Sequence, residues 1–433
     1  MKPEDMACEE EWPIGKKAAF YTLGIIVFLA IMDFMDRQIV AALLPYIKEE
    51  YGASDAQLGF MISIVNYSMV IFVIPAGYLV DRWSRKKMLT VMALIWSFAT
   101  AACGMAGTFW HLVMARFFIG TGEGGYNPAG QTLLSASFPK RLRASVCAAI
   151  SASMLLGAPL GLWIGAYIAE HWGWRHAFGV VAIPGIIVGL MALKCKDFKS
   201  VHENIPGECG GGNEPKKESY LHTVASLLKM PTMPLLFIGQ ATGLLAISSL
   251  LGWLPSYFSR VAGVDVTTAS HYSSVYMAAL AFSTLIGGPI LDYLFKKGTP
   301  FALRVQALTL LIGFGMTALA FGMIMPGSAG QIALLAFHTL FTASVIALGF
   351  ALVLNLAQPQ QRATAISLIV LVQNALGNGF GALLTGVLSD MFSLETSMLF
   401  ITGSYIISSL AFFLSSFTYE KDLAKVKPVT VSF

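Results

Sequence analysis

Within residues 112–130, LVMARFFIGTGEGGYNPAG, Arg116 and Glu123 interrupt a run that is otherwise apolar, small or uncharged. Residues 18–46 carry Asp33, Asp36 and Arg37 in the same way. An ionisable side chain at membrane depth costs upward of ~2.5 kcal/mol, so such groups face a partner or a water-filled path. Arginine presents a planar fork of donors that suits carboxylate and phosphate oxygens. A carboxylate in low dielectric is drawn towards its neutral form, and a nearby cation draws it back. These residue types therefore suit two kinds of chemistry, proton exchange at an acid and capture of an anion at an arginine.

Asp33 and Arg37 fall on one helical face as an i,i+4 pair. At a rise of 1.5 Å per residue, Asp36 lies about 15 Å below the outer end of its span, with Arg116 about 9 Å and Glu123 about 20 Å below that of theirs. All of them can share a layer near mid-membrane. Three acids against two arginines leave one acid without a fixed partner. With Asp33 on Arg37 and Asp36 on Arg116, that acid is Glu123. We expect Glu123 to take up and release a proton, tuned by Arg116, with Asp36 and Asp33 beside it, and Arg37 or Arg116 to touch the substrate. A static network that locks the two helices together is the competing reading.

The elements that must position these groups are long apolar helices. The 433 residues are 56% hydrophobic and 12% charged, against about 25% charged in a soluble domain. A run of about 20 apolar residues spans the hydrocarbon core, and twelve such spans can be marked. They cover 18–46, 56–80, 87–107, 110–137, 144–170, 176–193, 233–259, 269–295, 302–325, 330–357, 363–391 and 396–418. With both termini cytoplasmic, 23 of the 28 Lys and Arg fall on the cytoplasmic side, which satisfies the positive-inside rule. The acidic start MKPEDMACEEEWP and the long first run exclude a cleavable signal peptide, so the first span is retained.

The spacing of Gly120, Gly122 and Gly125 matches GxGxxG, but that fingerprint needs a strand, a turn and a helix start. In the middle of a hydrophobic span these glycines read instead as a face for close helix packing. The five cysteines form no CxxC pair, so neither a metal site nor a disulfide is expected.

The second half has no mid-membrane Asp or Glu. Its polar groups are Gln240, His338, Asn355, Gln373, Asn374 and Asn378. His338, about 12 Å below the outer end of its span, is a candidate substrate contact, and a histidine satisfied by a backbone carbonyl is the alternative. Tyr67, Tyr126, Trp253, Tyr257, Tyr276 and Phe341 could line an apolar part of a pocket whose polar end is the arginine layer. Arginine beside carboxylates suits a phosphate or zwitterionic headgroup.

Residues 194–232 read as a polar cytoplasmic linker between two six-helix halves, 18–193 and 233–418, with tails at 1–17 and 419–433. Gly77 to Lys87, GYLVDRWSRKK, is echoed by Gly288 to Lys297, GPILDYLFKK, and Pro139 to Arg143 by Pro359 to Arg362. Such repeats mark transporters, with the site near the midplane between halves.

At these residues the sequence resembles the major facilitator superfamily over all twelve spans. Gly77, Asp81, Arg82, Arg85 and Lys86 are similar to its signature between the second and third spans, with Ser84 in place of the usual second glycine. Met35-Asp36-Arg37, and Arg116 with Gly120-Thr-Gly-Glu123-Gly, resemble patterns of the Spinster family, with Gly124 where an alanine is common. The resemblance implies an all-α membrane protein of two pseudo-symmetric six-helix bundles in a bacterial inner membrane, monomeric and working by alternating access. It also implies a lysolipid or sphingoid-like cargo, and a gate in which Asp81 and Arg85, with Arg82 beside them, tie the first half to span 11. Gly157-Ala-Pro159-Leu-Gly161 and Gly377-Asn-Gly379-Phe-Gly381 are expected to be bending points or close-packing faces.

The expected partners are the lipid bilayer, protons and a small amphipathic or anionic substrate, with no cofactor and no nucleic acid. A carrier of small organic anions would use the same arginines. A membrane-embedded enzyme is disfavoured because HxxxxD, HExxH and GxSxG do not occur, and no GxxxxGK[ST] segment supplies a nucleotide engine.

Overall fold

A computed structural model of the chain describes residues 12–139, 142–197, 220–358 and 361–425. Every regular element among the described residues is helical. The first half contains α1 (Lys16–Tyr51), α2 (Asp55–Arg82), α3 (Arg85–Gly104), α4 (Phe109–Ser137), α5 (Arg143–Trp172) and α6 (Trp174–Met191). The second contains α8 (Thr232–Arg260), α9 (Val266–Lys296), α10 (Thr299–Gly322), α11 (Ala329–Thr342) and α12 (Val345–Leu356). It continues with α13 (Arg362–Leu371), a π-helix (Val372–Gly379), α14 (Phe380–Met391), α15 (Leu394–Thr402) and α16 (Ser404–Leu423). Nine helical stretches among the described residues are long and apolar enough to cross a membrane. Phe98, Phe282, Leu308 and Ile407 are each more than half exposed, as lipid-facing side chains must be when nothing drives them inward.

Three of the expected continuous spans prove to be divided. The tenth breaks at Ala343 and Ser344 between α11 and α12, where Ser344 Oγ donates to Gln306 Oε1 at 2.7 Å. The eleventh passes through the π-helix, whose sequence VQNALGNG is rich in poor helix formers. The twelfth divides at Gly403. The linker expected at 194–232 has its middle, 198–219, outside the described residues. Its last part is a helix, α7 (Tyr220–Leu228), which packs on α13 and receives a hydrogen bond on Ser226 Oγ from Gln361 Nε2 at 3.3 Å.

Glycine sets how closely the helices approach. A Cβ at Gly120 would stand 2.2 Å from the Val65 carbonyl oxygen of α2, and one at Gly161 would stand 2.5 Å from that of Met35 in α1. Real Cβ atoms do not tolerate such distances, so α4 and α5 pack backbone to backbone on α2 and α1. The layer that holds Asp36, Arg37, Arg116 and Glu123 is thereby drawn together.

We call the face that carries the end of α1 and the start of α2 the outer face. There the two halves are tied through Asp55, at the start of α2 behind a capping box made by Ser54 and Gln57. The Asp55 carboxylate accepts from Lys48 at 2.5 Å, from Arg260 Nη1 and Nη2 at 2.9 and 3.0 Å and from Ser389 Oγ at 2.5 Å. Asp390 accepts in turn from the backbone N-H groups of Asp55 and Ala56 at 2.9 and 2.8 Å. Gly386 lies against Asp55 so closely that a Cβ there would meet its carbonyl oxygen at 2.1 Å.

Candidate binding site between the bundles

Below that outer closure lies a cavity of about 490 Å³, lined by α1, α2, α4 and α5 of the first bundle and by α8, α9, the π-helix and α14 of the second. Most of its wall is aliphatic, with Ile62, Val65, Leu244, Ile247, Leu251 and Leu280 among the lining residues. Phe34 is the one aromatic on the wall among the described residues. Its cations, again among the described residues, are Arg37 and Arg116.

On α1, Asp33 and Arg37 share a face, and on α4, Glu123 follows Arg116 by two turns. The close packing of the two helices against α2 and α5 turns these faces towards each other. Arg37 Nε donates to Asp33 Oδ1 at 3.1 Å, and its Nη2 donates to Glu123 Oε2. Tyr126, one turn beyond Glu123, donates from its hydroxyl to Asp33 Oδ2 at 2.8 Å while its ring stacks on Trp96 at 5.9 Å. The chain Tyr126, Asp33, Arg37, Glu123 is thus continuous, and only Arg37 reaches the cavity from it, with a side chain 25% exposed.

The pairing departs from the expected one at Glu123. Glu123 is fully buried but not without a partner, because Arg37 is long enough to serve Asp33 and Glu123 together. Arg37, rather than Arg116, is the cation in contact with Glu123. Asp36 keeps its expected partner: Arg116 Nη1 stands 3.7 Å from Oδ2, an ion pair longer than the 2.7–2.9 Å of a charge-assisted hydrogen bond. Both Asp36 oxygens, and Nε and Nη1 of Arg116, are buried without a hydrogen-bond partner.

Two other candidate contacts lie off the cavity. His338 is fully buried among Leu335 O, Tyr405 and Thr342, at 3.2–3.3 Å, and stacks on Tyr276. That is the carbonyl-satisfied alternative. Tyr126 is held by Asp33 and Trp96. Of the six aromatics expected to line a pocket, none is on the wall. Trp253 Nε1 donates to Ala382 O at 3.0 Å, and Tyr257 is bonded to Gln331 and packed on Phe321. Large rings fill inter-helix gaps because their area is most useful there.

Gln373 and Asn378 do reach the cavity, whereas Gln240 and Asn355 do not. Gln38, Asn66 and Ser248 also line it and were not anticipated. Uncharged polar residues in an apolar run were the available signal, and Asn66 in the second span carried it.

At the opposite face, Arg85 is buried in the first turn of α3, behind Ser84, whose Oγ caps Lys87 N at 3.3 Å and donates to Asp197 at 2.5 Å. The side chains of Asp81 and Arg82 lie outside the described part of the chain. The outer closure at Asp55 was not foreseen.

Comparison with known proteins agrees with this architecture. The chain is 25% identical over 293 residues to the probable sulfoacetate transporter SauU of Cupriavidus necator, covering 65% of this chain and 66%, just under two thirds, of that protein. It is 23% identical over 403 residues to the sphingosine-1-phosphate transporter SPNS2 of Xenopus tropicalis, covering 88% of this chain and 76% of that one. It superposes with a TM-score of 0.83 on the crystal structure of a bacterial homologue of the human lysosomal transporter Spinster in an inward-facing, unoccupied conformation. There the identity is 20%, with 94% of this chain and 99% of the other covered. A sequence profile of the Major Facilitator Superfamily matches residues 26–314. The match takes in well over half of the chain, which is all-helical, multi-pass and built around a cavity between two bundles, and the chain belongs to the Major Facilitator Superfamily of transporters.

Proposed function

We propose that the chain is a proton-coupled secondary transporter that works by alternating access and moves an amphipathic anion of the lysolipid or sphingoid-like class. One observation carries the reading: a largely aliphatic cavity has Arg37 and Arg116 as its cations, and Arg37 already holds Asp33 and Glu123. The aliphatic wall suits a hydrocarbon body, and the arginines suit an anionic head.

Coupling follows from competition at Arg37. An anionic group arriving at its exposed edge displaces Glu123 from Nη2. The freed carboxylate, buried and without its cation, takes a proton rather than remain ionised in low dielectric. When the anion leaves, Arg37 recovers Glu123 and the proton is released. Asp33 holds Arg37 in place through both states, and Asp36 sets the field on Arg116. At the cytoplasmic face, Asp81 with Arg82 and Arg85 closes the outward-facing state against span 11, opposite to the closure at Asp55.

A second reading, a carrier of small organic anions, is favoured by the same arginines and by the similarity to a probable sulfoacetate transporter. Uptake into proteoliposomes separates the two. A labelled lysophospholipid should accumulate above empty liposomes and faster with an inward pH gradient, and Glu123→Gln should bind it yet lose the gradient dependence. Unchanged coupling in Glu123→Gln removes the proton role. Uptake of sulfoacetate with none of the lysophospholipid moves the substrate to the small-anion class.

A further inference from the structure

Besides the arginines the cavity wall carries amides from both bundles. Gln373 and Asn378, on the π-helix, stand five residues apart, which is the hydrogen-bond repeat of that helix. Both line the cavity, as do Asn66 of α2 and Gln38 of α1. Gln373 and Asn66 are each 8% exposed, and Gln373 Nε2 and Asn66 Oδ1 are buried with no hydrogen-bond partner. Gln38 Oε1 is in the same condition. Asn378 Nδ2 has only a long bond of 3.4 Å, to Asn374 Oδ1.

The seam that brings Asn66 and the π-helix together is closely built. Ser63 Oγ donates to Gly379 O, and a Cβ on Gly379 would stand 2.9 Å from the Tyr67 ring. Ser248 of α8 holds the other side, donating to Asn378 O at 3.2 Å.

A buried polar atom left without a partner costs about 1–3 kcal/mol. Several of them on residues that line one cavity, from two bundles that must separate and rejoin, mark a place that something else completes. A carboxamide offers both a donor and an acceptor whichever way it is turned. The matching group is one that also does both. A ligand hydroxyl qualifies; a carbonyl alone cannot donate to Asn66, and a second anion would find no cation besides Arg37 and Arg116 among the described lining residues.

We propose that Gln373, Asn66 and Asn378 form a neutral subsite that selects, among anions held at Arg37 and Arg116, those that also carry a hydroxyl. This rests on the anion reading above and narrows its substrate class to hydroxylated anions. The hydroxyl of a lysolipid glycerol and that of a small hydroxy acid present the same chemistry. Because the amides come from both bundles, a bound hydroxyl also ties the halves together.

The test is binding to the purified full-length carrier with two matched pairs: a lysophosphatidate and its 2-deoxy analogue, and 3-hydroxybutyrate and butyrate. In the pair that binds, the hydroxylated member should be favoured about tenfold or more, since a site built for a hydroxyl rejects the analogue that lacks it. Gln373→Met should bring that ratio to about one, chiefly by weakening the hydroxylated ligand. It should not lower the melting temperature, because the buried Nε2 donor it removes has no partner in the free protein. Asn66→Leu should act in the same direction. Equal binding of both members by the unaltered protein overturns the subsite, as does a ratio that survives in both variants. Selection within the acid pair alone keeps the subsite and overturns the lysolipid cargo. Binding of neither pair overturns the subsite and the anion reading together.

Discussion

Arg37 makes one ion pair within its own helix and one to α4, with the edge of its side chain still open to the cavity. A lysine keeps the charge but is a point donor that cannot span Asp33 and Glu123 at once. Arg37→Lys should therefore weaken anion binding by about tenfold or more, as read by competition in proteoliposomes. Arg37→Gln leaves two buried carboxylates without their cation. Its loss of stability should fall below the ~3–5 kcal/mol of a fully buried pair, since Arg37 is partly exposed. Adding Glu123→Gln to Arg37→Gln should restore part of that loss in thermal unfolding; a double variant no more stable than Arg37→Gln would mean that the pair is not formed. At this scale the sequence was half legible. Asp33 with Arg37 could be read from a four-residue spacing, because one helix fixes the geometry. Arg37 with Glu123 could not, because the rotation of α4 against α1 depends on glycines packing on a third helix, and charge counting does not show one arginine serving two acids.

Long apolar runs announced the helices. The π-helix and the breaks near Ser344 and Gly403 escaped because hydrophobic periodicity does not register one displaced hydrogen bond in a span that is apolar all round. The outer closure escaped for a different reason. Asp55 looked like an ordinary residue in the first turn of a helix, and its second role appears only when Arg260 and Gly386 arrive from the other half. That closure needs both charge and close approach, and the two can be tested apart. Gly386→Ala leaves every charge in place but puts a methyl group where the Asp55 carbonyl must come. Spin-label distances across the outer ends of α2 and α14 should lengthen in this variant. An unchanged distribution would show that the backbone contact is not needed to close the face.

The closure at Asp55 and the one proposed at Asp81 would bias one equilibrium from opposite faces, so their signs must be opposite. Asp55→Asn weakens the ion pairs with Lys48 and Arg260 and should shift the population towards opening at the outer face. Asp81→Asn, if Asp81 closes the cytoplasmic face as proposed, should shift it towards opening there. A contact worth about 1.4 kcal/mol changes the ratio of the two states about tenfold, and a transporter that visits both states has a gap small enough for that to be visible. The double variant Asp55→Asn with Asp81→Asn then supplies the decisive result. If both groups act on the same two-state equilibrium, their effects cancel, and the distances on both faces return towards those of the unaltered protein even though two closures have been weakened. Additive loosening, with both faces longer together, would mean that the bundles do not rock as rigid bodies about the cavity, and the exchange at Arg37 would have to be coupled to a local gate instead.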